Sequence, residues 1–182
     1  MKNNVRLPHF QTKNLIFRSL KLEDKFDIYY LYSDPNVVKL DVSDPINSLE
    51  AAEELIRKAS DSSTDPHSIH WGVELKETNR IVGTCGYKNW NRVSNHAEIG
   101  GNLASEFWGK GLATEGLKAL LDYGFVKMNL NKIYASTNCQ NISALKLMKK
   151  YGFCQEGRLR EHQLLDDQYY DVFIFSLLYK DQ

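Results

Sequence analysis

The sequence has little of what marks specialised protein classes. Three cysteines among 182 residues are an odd number, and Cys85, Cys139 and Cys154 lack the spacing of metal ligands. We therefore interpret them as reduced, small apolar side chains rather than as a disulfide framework. An excess of charge of one sign is also missing, because 23 basic residues balance 23 acidic ones. With no basic block, the chain is not expected to bind nucleic acid directly.

Long apolar runs are absent as well. No stretch approaches the roughly twenty residues that a membrane-spanning helix needs. Residues 1–6 lack the apolar region of a signal peptide. From these absences we expect a cytoplasmic protein that makes no membrane contact. Hydrophobic residues still make up 42% of the chain, which predicts one domain over residues 1–182 with a sizeable core.

Strand-like and helix-like segments are interspersed along the chain, which predicts an α/β fold. Short turns join three successive central strands, so we expect these strands to pair antiparallel. A helix then separates the third of them from the next strand, and such a crossover makes those two strands parallel. The predicted strands cover residues 12–20, 69–75, 80–90, 97–103 and 132–137. The first two predicted helices cover 21–33 and 48–60, and a loop covers 62–67. A closing hairpin is predicted over 153–165 and 169–179.

Residues 107–115, here called the glycine loop, are the most informative stretch and read Phe-Trp-Gly-Lys-Gly-Leu-Ala-Thr-Glu. Gly109 and Gly111 stand just before a segment with the apolar spacing of a helix, and glycine lets a ligand approach the main chain closely. The first amides of a helix have no partners within it and lie at the positive end of its dipole. Together these features predict a phosphate or pyrophosphate site. A plain tight turn is the alternative.

Two familiar phosphate motifs do not fit the glycine loop. A P-loop needs Ser or Thr directly after its lysine, but Lys110 is followed by Gly111. A dinucleotide-binding fingerprint needs a third small residue where Thr114 stands, and an acidic residue about twenty positions further on. Residues 128–132 carry no acidic residue. The glycine loop therefore predicts an anionic ligand of another kind, part of a nucleotide-like cofactor.

Two further segments support this prediction. A short amphipathic helix is predicted downstream, where Asn141 suits the N-cap and Gly152 suits the left-handed position after the last turn. In the strand 97–103, two adjacent glycines, Gly100 and Gly101, mark a bulge or a close approach of backbones. A bulge would free amides and carbonyls for an extended, amide-bearing ligand. Alone, each segment is also explained as an ordinary surface helix or a bulge at a sheet edge.

Taken together, these segments resemble the GNAT acetyltransferases. Trp-Gly-Lys-Gly-Leu-Ala at 108–113 matches the family's Gln/Arg-x-x-Gly-x-Gly/Ala loop, and 141–153 matches its Asn-x-x-Ser/Ala helix ending in Gly-Phe. Ala-Glu-Ile-Gly at 97–100 and Glu-Gly at 156–157 are similar to the Rim-type branch, which acetylates the N-termini of ribosomal proteins. The resemblance spans nearly the whole chain.

The resemblance implies the GNAT fold, a central mixed, mostly antiparallel sheet with two splayed parallel strands and flanking helices. It implies acetyl-CoA as cosubstrate, with pantetheine between the splayed strands and pyrophosphate on the amides of the glycine loop, and no metal. Trp108 departs from the family's Gln or Arg, so this side chain cannot contact phosphate ionically. The residues implied to bind the cofactor are Gly100, Gly101, Asn102, Leu103, Trp108, Gly109, Lys110, Gly111, Leu112, Ala113, Thr114, Asn138, Asn141, Ala144 and Lys146.

Acetyl transfer to an amine needs a base, and Glu98 is the candidate. It lies on the polar face of its strand, beside the implied position of the thioester. A surface carboxylate is the alternative interpretation. The amides of Gly100 or Gly101 are candidates to support the oxyanion.

The general acid stays open, because Met148 stands where many relatives have a tyrosine and Ala144 stands at the family's alternative serine position. Tyr134 and Tyr170 are the remaining candidates. The resemblance favours a protein N-terminal amine as substrate, such as that of a ribosomal protein. The alternatives are a small amine (a polyamine, amino sugar or amino acid derivative) and a cofactor-binding module without turnover. A homodimer is also compatible with the sequence.

Overall fold

The computed structural model describes residues 7–40, 46–60, 65–165 and 167–181, which form eight strands and five α-helices. The predicted loop at 62–67 lies partly outside these ranges, and residues 1–6 lie wholly outside them. The strands are β1 (Phe10–Gln11), β2 (Leu15–Arg18), β3 (Ile69–Leu75), β4 (Arg80–Asn91), β5 (His96–Leu103), β6 (Lys132–Asn138), β7 (Cys154–Leu165) and β8 (Gln168–Leu178). The helices are α1 (Lys25–Ser33), α2 (Pro35–Val38), α3 (Leu49–Ser60), α4 (Leu112–Asp122) and α5 (Ile142–Lys150).

All eight strands belong to one sheet in the order β1-β2-β3-β4-β5-β6-β8-β7. Neighbouring strands are antiparallel except for β5 and β6, which are parallel and joined through α4. The predicted mixed, mostly antiparallel sheet is therefore confirmed. The predicted closing hairpin is also confirmed, as β7 pairs with β8.

The parallel strands β5 and β6 pair over only three residues. Their last pair is Glu98 with Tyr134. Beyond it β5 continues to Leu103 along β4, whereas β6 continues to Asn138 along β8. The described strands thus separate and leave an opening between them, here called the fork, bordered by residues 99–103 of β5 and 135–138 of β6. The splayed strands implied by the resemblance are present.

The two faces of the sheet are covered by different helices. On one face, buried residues of β5 and β6 such as Ala97, Ile99 and Ile133 pack in one core cluster with the leucines of α4. Tyr87 fixes this packing, because its hydroxyl donates to the carbonyl of Leu120 at 2.6 Å. The other face is packed by α1 and α3 around Ile28, buried in a second core cluster. Burial of such side chains is the main stabilising contribution to the fold.

Several boundaries differ from the sequence prediction. The expected strand at 12–20 is two strands, because Thr12 N–H donates to the Leu15 carbonyl at 2.9 Å and Leu15 N–H donates to Thr12 Oγ1 at 3.1 Å, which closes a turn. The predicted helix at 21–33 begins as a 3₁₀ turn, Leu22–Asp24, before α1. Helix α2 was not predicted, although Asp34 followed by Pro35 is an N-cap and first-turn signal.

The bulge expected at Gly100 and Gly101 is wrong. The ladder between β4 and β5 runs without a shift through both glycines, and the irregularity lies instead between Lys88 and Asn91. The alternative, a close approach of backbones, holds for Gly101. A Cβ there would lie 2.7 Å from the Thr84 carbonyl oxygen.

Candidate active site

The glycine loop turns the chain from the end of β5 into α4. Gly109 has φ of 74° and Gly111 has φ of 81°, in the left-handed region that side chains disfavour. A Cβ at either position would meet no atom within 4 Å. The loop therefore needs glycine for its backbone, and the space in front of it is open for a ligand to reach the main chain. This geometry fits the implied pyrophosphate site.

The first turn of α4 supplies amide donors to the same space. Its hydrogen bonding begins with Glu115 N–H donating to the Gly111 carbonyl at 3.0 Å. The amides of Leu112, Ala113 and Thr114 precede this bond, at the positive end of the helix dipole. Leu112 is buried and anchors the turn, whereas Ala113 is exposed. The predicted backbone socket for an anion thus has both its parts in place.

Glu115 is the one acidic side chain in this first turn, and it is held away from the glycine loop. Its two carboxylate oxygens accept from the backbone N–H and side-chain amide of Asn14, both at 2.7 Å. Burial tends to raise the pKa of Glu115, but hydrogen bonds from Thr12 and Asn14 outweigh it and the pKa is lowered. The carboxylate therefore stays ionised and is bound to the turn between β1 and β2.

The two long side chains of the glycine loop have structural contacts. Trp108 donates its indole N–H to the carbonyl of Leu103 at 2.7 Å, which ties the loop to the end of β5. The Lys110 ammonium lies 5.0 Å from the centre of the Phe107 ring. The Trp108 side chain thus fixes the geometry of the loop.

Helix α5 is brought beside the start of α4. Asn141 caps α5 as predicted, because its side-chain oxygen accepts from Ala144 N–H at 3.1 Å. Gly152, with φ of 77°, occupies the predicted left-handed position. Tyr151 then donates its hydroxyl to the Thr114 carbonyl at 2.7 Å. The two motifs that carried the resemblance therefore meet in space.

Two of the residues implied to bind the cofactor, Lys146 and Asn138, differ in their exposure to solvent. Lys146 is exposed on α5. Asn138, only 3% exposed, donates to Gln163 at 2.9 Å and accepts from Gln140 N–H at 2.8 Å. Its side chain joins the end of β6 to β7 instead of facing the fork, a role that neither spacing nor residue type indicates.

Glu98 lies at the base of the fork and is 7% exposed, so the alternative of a surface carboxylate is excluded. Ser136 Oγ donates to Oε1 at 2.5 Å and Asn89 Nδ2 donates to Oε2 at 2.9 Å. The ammonium of Lys88 lies 3.4 Å from Oε1. Sequence reasoning missed these three partners, which lie on strands β4 and β6 beside Glu98.

Tyr134 is the candidate acid that the structure places at the fork. It pairs with Glu98 across the parallel strands, so both side chains lie on the same face of the sheet. Burial, with the charge of Glu98, raises the pKa of Tyr134, so the phenol keeps its proton. The His96 ring lies 5.8 Å from the Tyr134 ring, edge to face, and its buried Nδ1 has no hydrogen-bond partner among the described residues.

The other candidates for the acid lie elsewhere. Tyr170 lies six residues along β8 from Ser176, the partner of Tyr134, which is about 20 Å at the rise of a strand. Its hydroxyl donates to Gln168 at 2.9 Å. Met148 is buried in the core.

A surface cleft of about 650 Å³ lies between α4 and the segment that contains β1. Gly111, Thr114, Phe10, Tyr123 and Tyr151 are among the residues that line it. Neither Glu98 nor Tyr134 reaches it. The two candidate proton-transferring groups, Glu98 and Tyr134, therefore lie at the fork and do not line this cleft.

Within the described ranges, no three side chains of His, Cys, Asp or Glu are grouped as a metal ion requires. No helix in the same ranges is long and apolar enough to cross a bilayer.

Comparison with known proteins gives a consistent result. Residues 14–154 match the family model described as an acetyltransferase (GNAT) domain. The chain is 34% identical to a protein of Bacillus licheniformis named as the uncharacterized N-acetyltransferase p20, over 93% of this chain and 96% of that protein. It is 30% identical to a spermidine N(1)-acetyltransferase of Vibrio cholerae, over 87% of this chain and 89% of that protein.

Solved structures share the fold. A spermidine N-acetyltransferase from Vibrio cholerae, in complex with CoA and spermine, superposes with a TM-score of 0.82 at 28% identity, over 93% of this chain and 98% of that chain. A ribosomal-protein-S5-alanine acetyltransferase from Vibrio fischeri superposes with a TM-score of 0.82 at 20% identity, over 96% and 98%. The second likeness is evidence for the fold alone.

Proposed function

Because the chain belongs to the GNAT acetyltransferase family, we propose that it transfers the acetyl group of acetyl-CoA to a primary amine at the fork. One observation carries this proposal. The strands β5 and β6 part just beyond Glu98 and Tyr134, and the glycine loop lies at the end of β5. A buried carboxylate, an opening between strands and the glycine loop thus follow one another along β5 and the segment after it.

Acetyl-CoA fits this arrangement as cosubstrate. The open space before Gly109 and Gly111, together with the amides at the start of α4, suits the pyrophosphate. Within the described part of the chain, no strand pairs with the edges of β5 and β6 at the fork, and these edges suit the amides of the pantetheine arm. When bound, acetyl-CoA supplies an activated acetyl thioester.

Glu98 is the proposed base. The attacking amine must lose a proton, and Glu98 accepts it directly or through a water molecule. Its contacts with Ser136, Asn89 and Lys88 hold the carboxylate in place. Tyr134, which retains its proton, is the proposed donor to the departing thiolate. Gly100 and Gly101 amides are the proposed support for the oxyanion.

The preferred substrate is the α-amine of a protein N-terminus, such as that of a ribosomal protein. The charge at the base of the fork supports this choice. The carboxylate of Glu98 has the ammonium of Lys88 at 3.4 Å. Because Glu98 already has a cationic neighbour, it attracts a polycation less strongly than an unpaired carboxylate would. A singly charged amine fits better.

A polyamine is the second candidate. It is supported by the 30% identity to a protein named as a spermidine N(1)-acetyltransferase. A cytoplasmic location and a homodimer stay predictions of the sequence.

The function is tested by measuring acetyl-CoA binding and acetyl transfer separately. Calorimetry gives the affinity for acetyl-CoA, and release of free CoA in the presence of short peptides, spermidine or amino sugars gives the transfer rate. Transfer to at least one amine, faster than hydrolysis of acetyl-CoA without amine, is expected. Binding without transfer to any member of the panel would support the module without turnover.

A further inference from the structure

The connection between α1 and α2 is held against the fork by two hydrogen bonds that bridge distant parts of the chain. This connection, residues 32–35, is here called the α1–α2 corner. Tyr32, in the last turn of α1, is also contacted from further along the chain, because Ile46 N–H donates to its carbonyl at 3.2 Å. Val37 of α2 is buried, with 3% of its surface exposed.

The first bond places the α1–α2 corner on the face of the sheet that carries Glu98. The Tyr32 hydroxyl lies 2.7 Å from Thr84 Oγ1. Thr84 pairs with Asn102 of β5, and Lys88 pairs with Glu98 four residues away on the same ladder. Since side chains alternate along strands, Thr84 and Glu98 point to the same side. The corner thus lies on the Glu98 side of the sheet, over β4 and beside the part of β5 that borders the fork.

The second bond joins this corner to the segment that leads into the glycine loop. Ser105 Oγ donates to Asp34 Oδ2 at 2.5 Å, across 71 positions of sequence. Ser105 opens the 3₁₀ turn Ser105–Phe107, which runs directly into Trp108 and Gly109. The other oxygen of Asp34 accepts from Asn36 N–H at 2.8 Å and caps α2. The Asp34 carboxylate therefore contacts both the turn that leads into the glycine loop and the first turn of α2.

We propose that Asp34 and Ser105 are positioning residues that link cofactor binding to the amine site, an inference that rests on the proposed acetyltransferase function. A hydrogen bond to a carboxylate is among the stronger ones in proteins, so the two segments are held as one unit. When acetyl-CoA binds and orders the glycine loop, the hydrogen bond between Ser105 and Asp34 also orders the first turn of α2, beside the fork. The amine site is thereby completed after the cofactor binds.

The kinetic test replaces Ser105→Ala and compares it with Ser68→Ala. Ser68 is a matched control, because its hydroxyl also donates to an aspartate, Asp65, but in an exposed turn before β3. Ser105→Ala is expected to raise KM for the amine about tenfold, while kcat and the affinity for acetyl-CoA change by less than about threefold. Ser68→Ala is expected to leave all three values unchanged. Equal KM values in the two variants, in an enzyme whose wild type transfers acetyl groups, would overturn the link and leave the function standing.

A second measurement needs no turnover. Hydrogen exchange of the α2 amides of Val37, Val38 and Lys39, which donate to Asp34 and Pro35 carbonyls, is followed with and without CoA. In the wild type, CoA is expected to slow their exchange, and in Ser105→Ala this protection is expected to be lost. If CoA binds and leaves the exchange of α2 unchanged in the wild type, the link is wrong whether or not the enzyme acetylates any amine. A wild type that shows the protection but acetylates no amine would instead contradict the proposed function.

Discussion

Glu98 and Tyr134 form the last pair between the parallel strands β5 and β6, and both side chains lie on the face opposite α4. One residue further, the strands have no pairing with each other. The pair therefore places the proposed base and the proposed proton donor where the opening between the strands begins. Because two strands define this position, it does not depend on the conformation of a mobile loop.

Gly111→Val is expected to weaken acetyl-CoA binding at least tenfold. Gly111 has φ of 81°, which a β-branched residue disfavours, and the new side chain would point into the open space before the amides of α4. Calorimetry measures the affinity, and the thermal midpoint shows whether the variant is folded. Gly157→Ala is the control, because this glycine also has open space around it but φ is not positive. Unchanged affinity in folded Gly111→Val would remove the glycine loop from the cofactor site.

Glu98→Gln is expected to lower the turnover number at neutral pH by about two orders of magnitude, with similar affinity for acetyl-CoA. The substitution keeps the size of the side chain but removes its ability to accept a proton. Glu156→Gln is the matched control. Its carboxylate also accepts from a serine hydroxyl, that of Ser176, and has a lysine at 3.5 Å, but it lies on the outer strand β7. Similar rates in the two variants would assign Glu98 a structural role.

Sequence patterns predicted the glycine loop, the capped helix α5 and the parallel crossover, because each depends on residues close together in the chain. Gly109 and Gly111 have positive φ angles, which glycine as a residue type indicates. Asn141 caps α5, as its position before the helix predicts. The hydrogen bonds around Glu98 were not predictable in this way. Ser136 lies 38 positions away, and only the register of β6 brings it to the carboxylate.

The expected bulge at Gly100 and Gly101 shows the same limit. Glycines in a strand indicate that something unusual happens to the backbone, but they do not say what. In the structure the irregularity of β4 lies near Asn89, which has φ of 54°. Position 101 needs glycine because the backbone of β4 approaches it too closely for a side chain. A bulge and a close contact are distinguished only by the register and distance of the neighbouring strand β4. The local sequence around the glycines does not specify either.

Arg18→Met is expected to lower the free energy of unfolding by about 2–4 kcal/mol. Arg18 is paired with Asp24 at 2.7 Å and with Glu74 at 2.5 Å, and all three side chains are at most 14% exposed. The hydrogen bond with Asp24, together with the contacts to Glu74, raises the pKa of Arg18. Its loss leaves two largely buried carboxylates without their cation.

The control for this substitution is Arg80→Met. Arg80 is 50% exposed and paired with Asp27 at 2.9 Å, and an exposed pair contributes at most about 1 kcal/mol. Urea unfolding measures both variants. Equal losses of unfolding free energy in the two variants would show that the Arg18 cluster stabilises the fold no more than a surface ion pair does.

Asn14→Ala is expected to destabilise the protein by about 1 kcal/mol at pH 7, and this difference should shrink in acid. The variant loses the side-chain donor to Glu115, one of the contacts that lower its folded-state pKa. A lowered carboxyl pKa stabilises the fold above the unfolded pKa of about 4.3, and the effect is lost as the pH falls through the folded pKa. Urea midpoints of wild type and variant at pH 7 and pH 3.5 test this. Measured in a Glu115→Gln background, the effect of Asn14→Ala should show no such pH dependence. An Asn14→Ala difference that is constant with pH in the wild-type background contradicts the assignment.

The substrate prediction concerns which amine of a peptide reacts. An α-amine has a pKa of about 7.7–8.0 and a lysine amine about 10.4, so at about pH 7.4 roughly a quarter of the first is neutral against roughly one part in a thousand of the second. Glu98 is a buried carboxylate at the base of the fork, and it already has the ammonium of Lys88 at 3.4 Å. Such a base suits the amine that loses its proton more easily. Transfer to the N-terminus of a short peptide is therefore expected in preference to an internal lysine.

Two versions of one peptide test this, one blocked at the α-amine and the other at the lysine, with spermidine as a third substrate. Mass spectrometry locates the acetyl group, and initial rates at equal concentration give the preference. The peptide with a free α-amine is expected to react at least tenfold faster than the peptide with a free lysine, and the advantage should narrow as the pH rises toward 10, because lysine then also becomes neutral. Faster acetylation of spermidine than of either peptide would favour the polyamine, because binding of several ammonium groups would then outweigh the ease of deprotonating one.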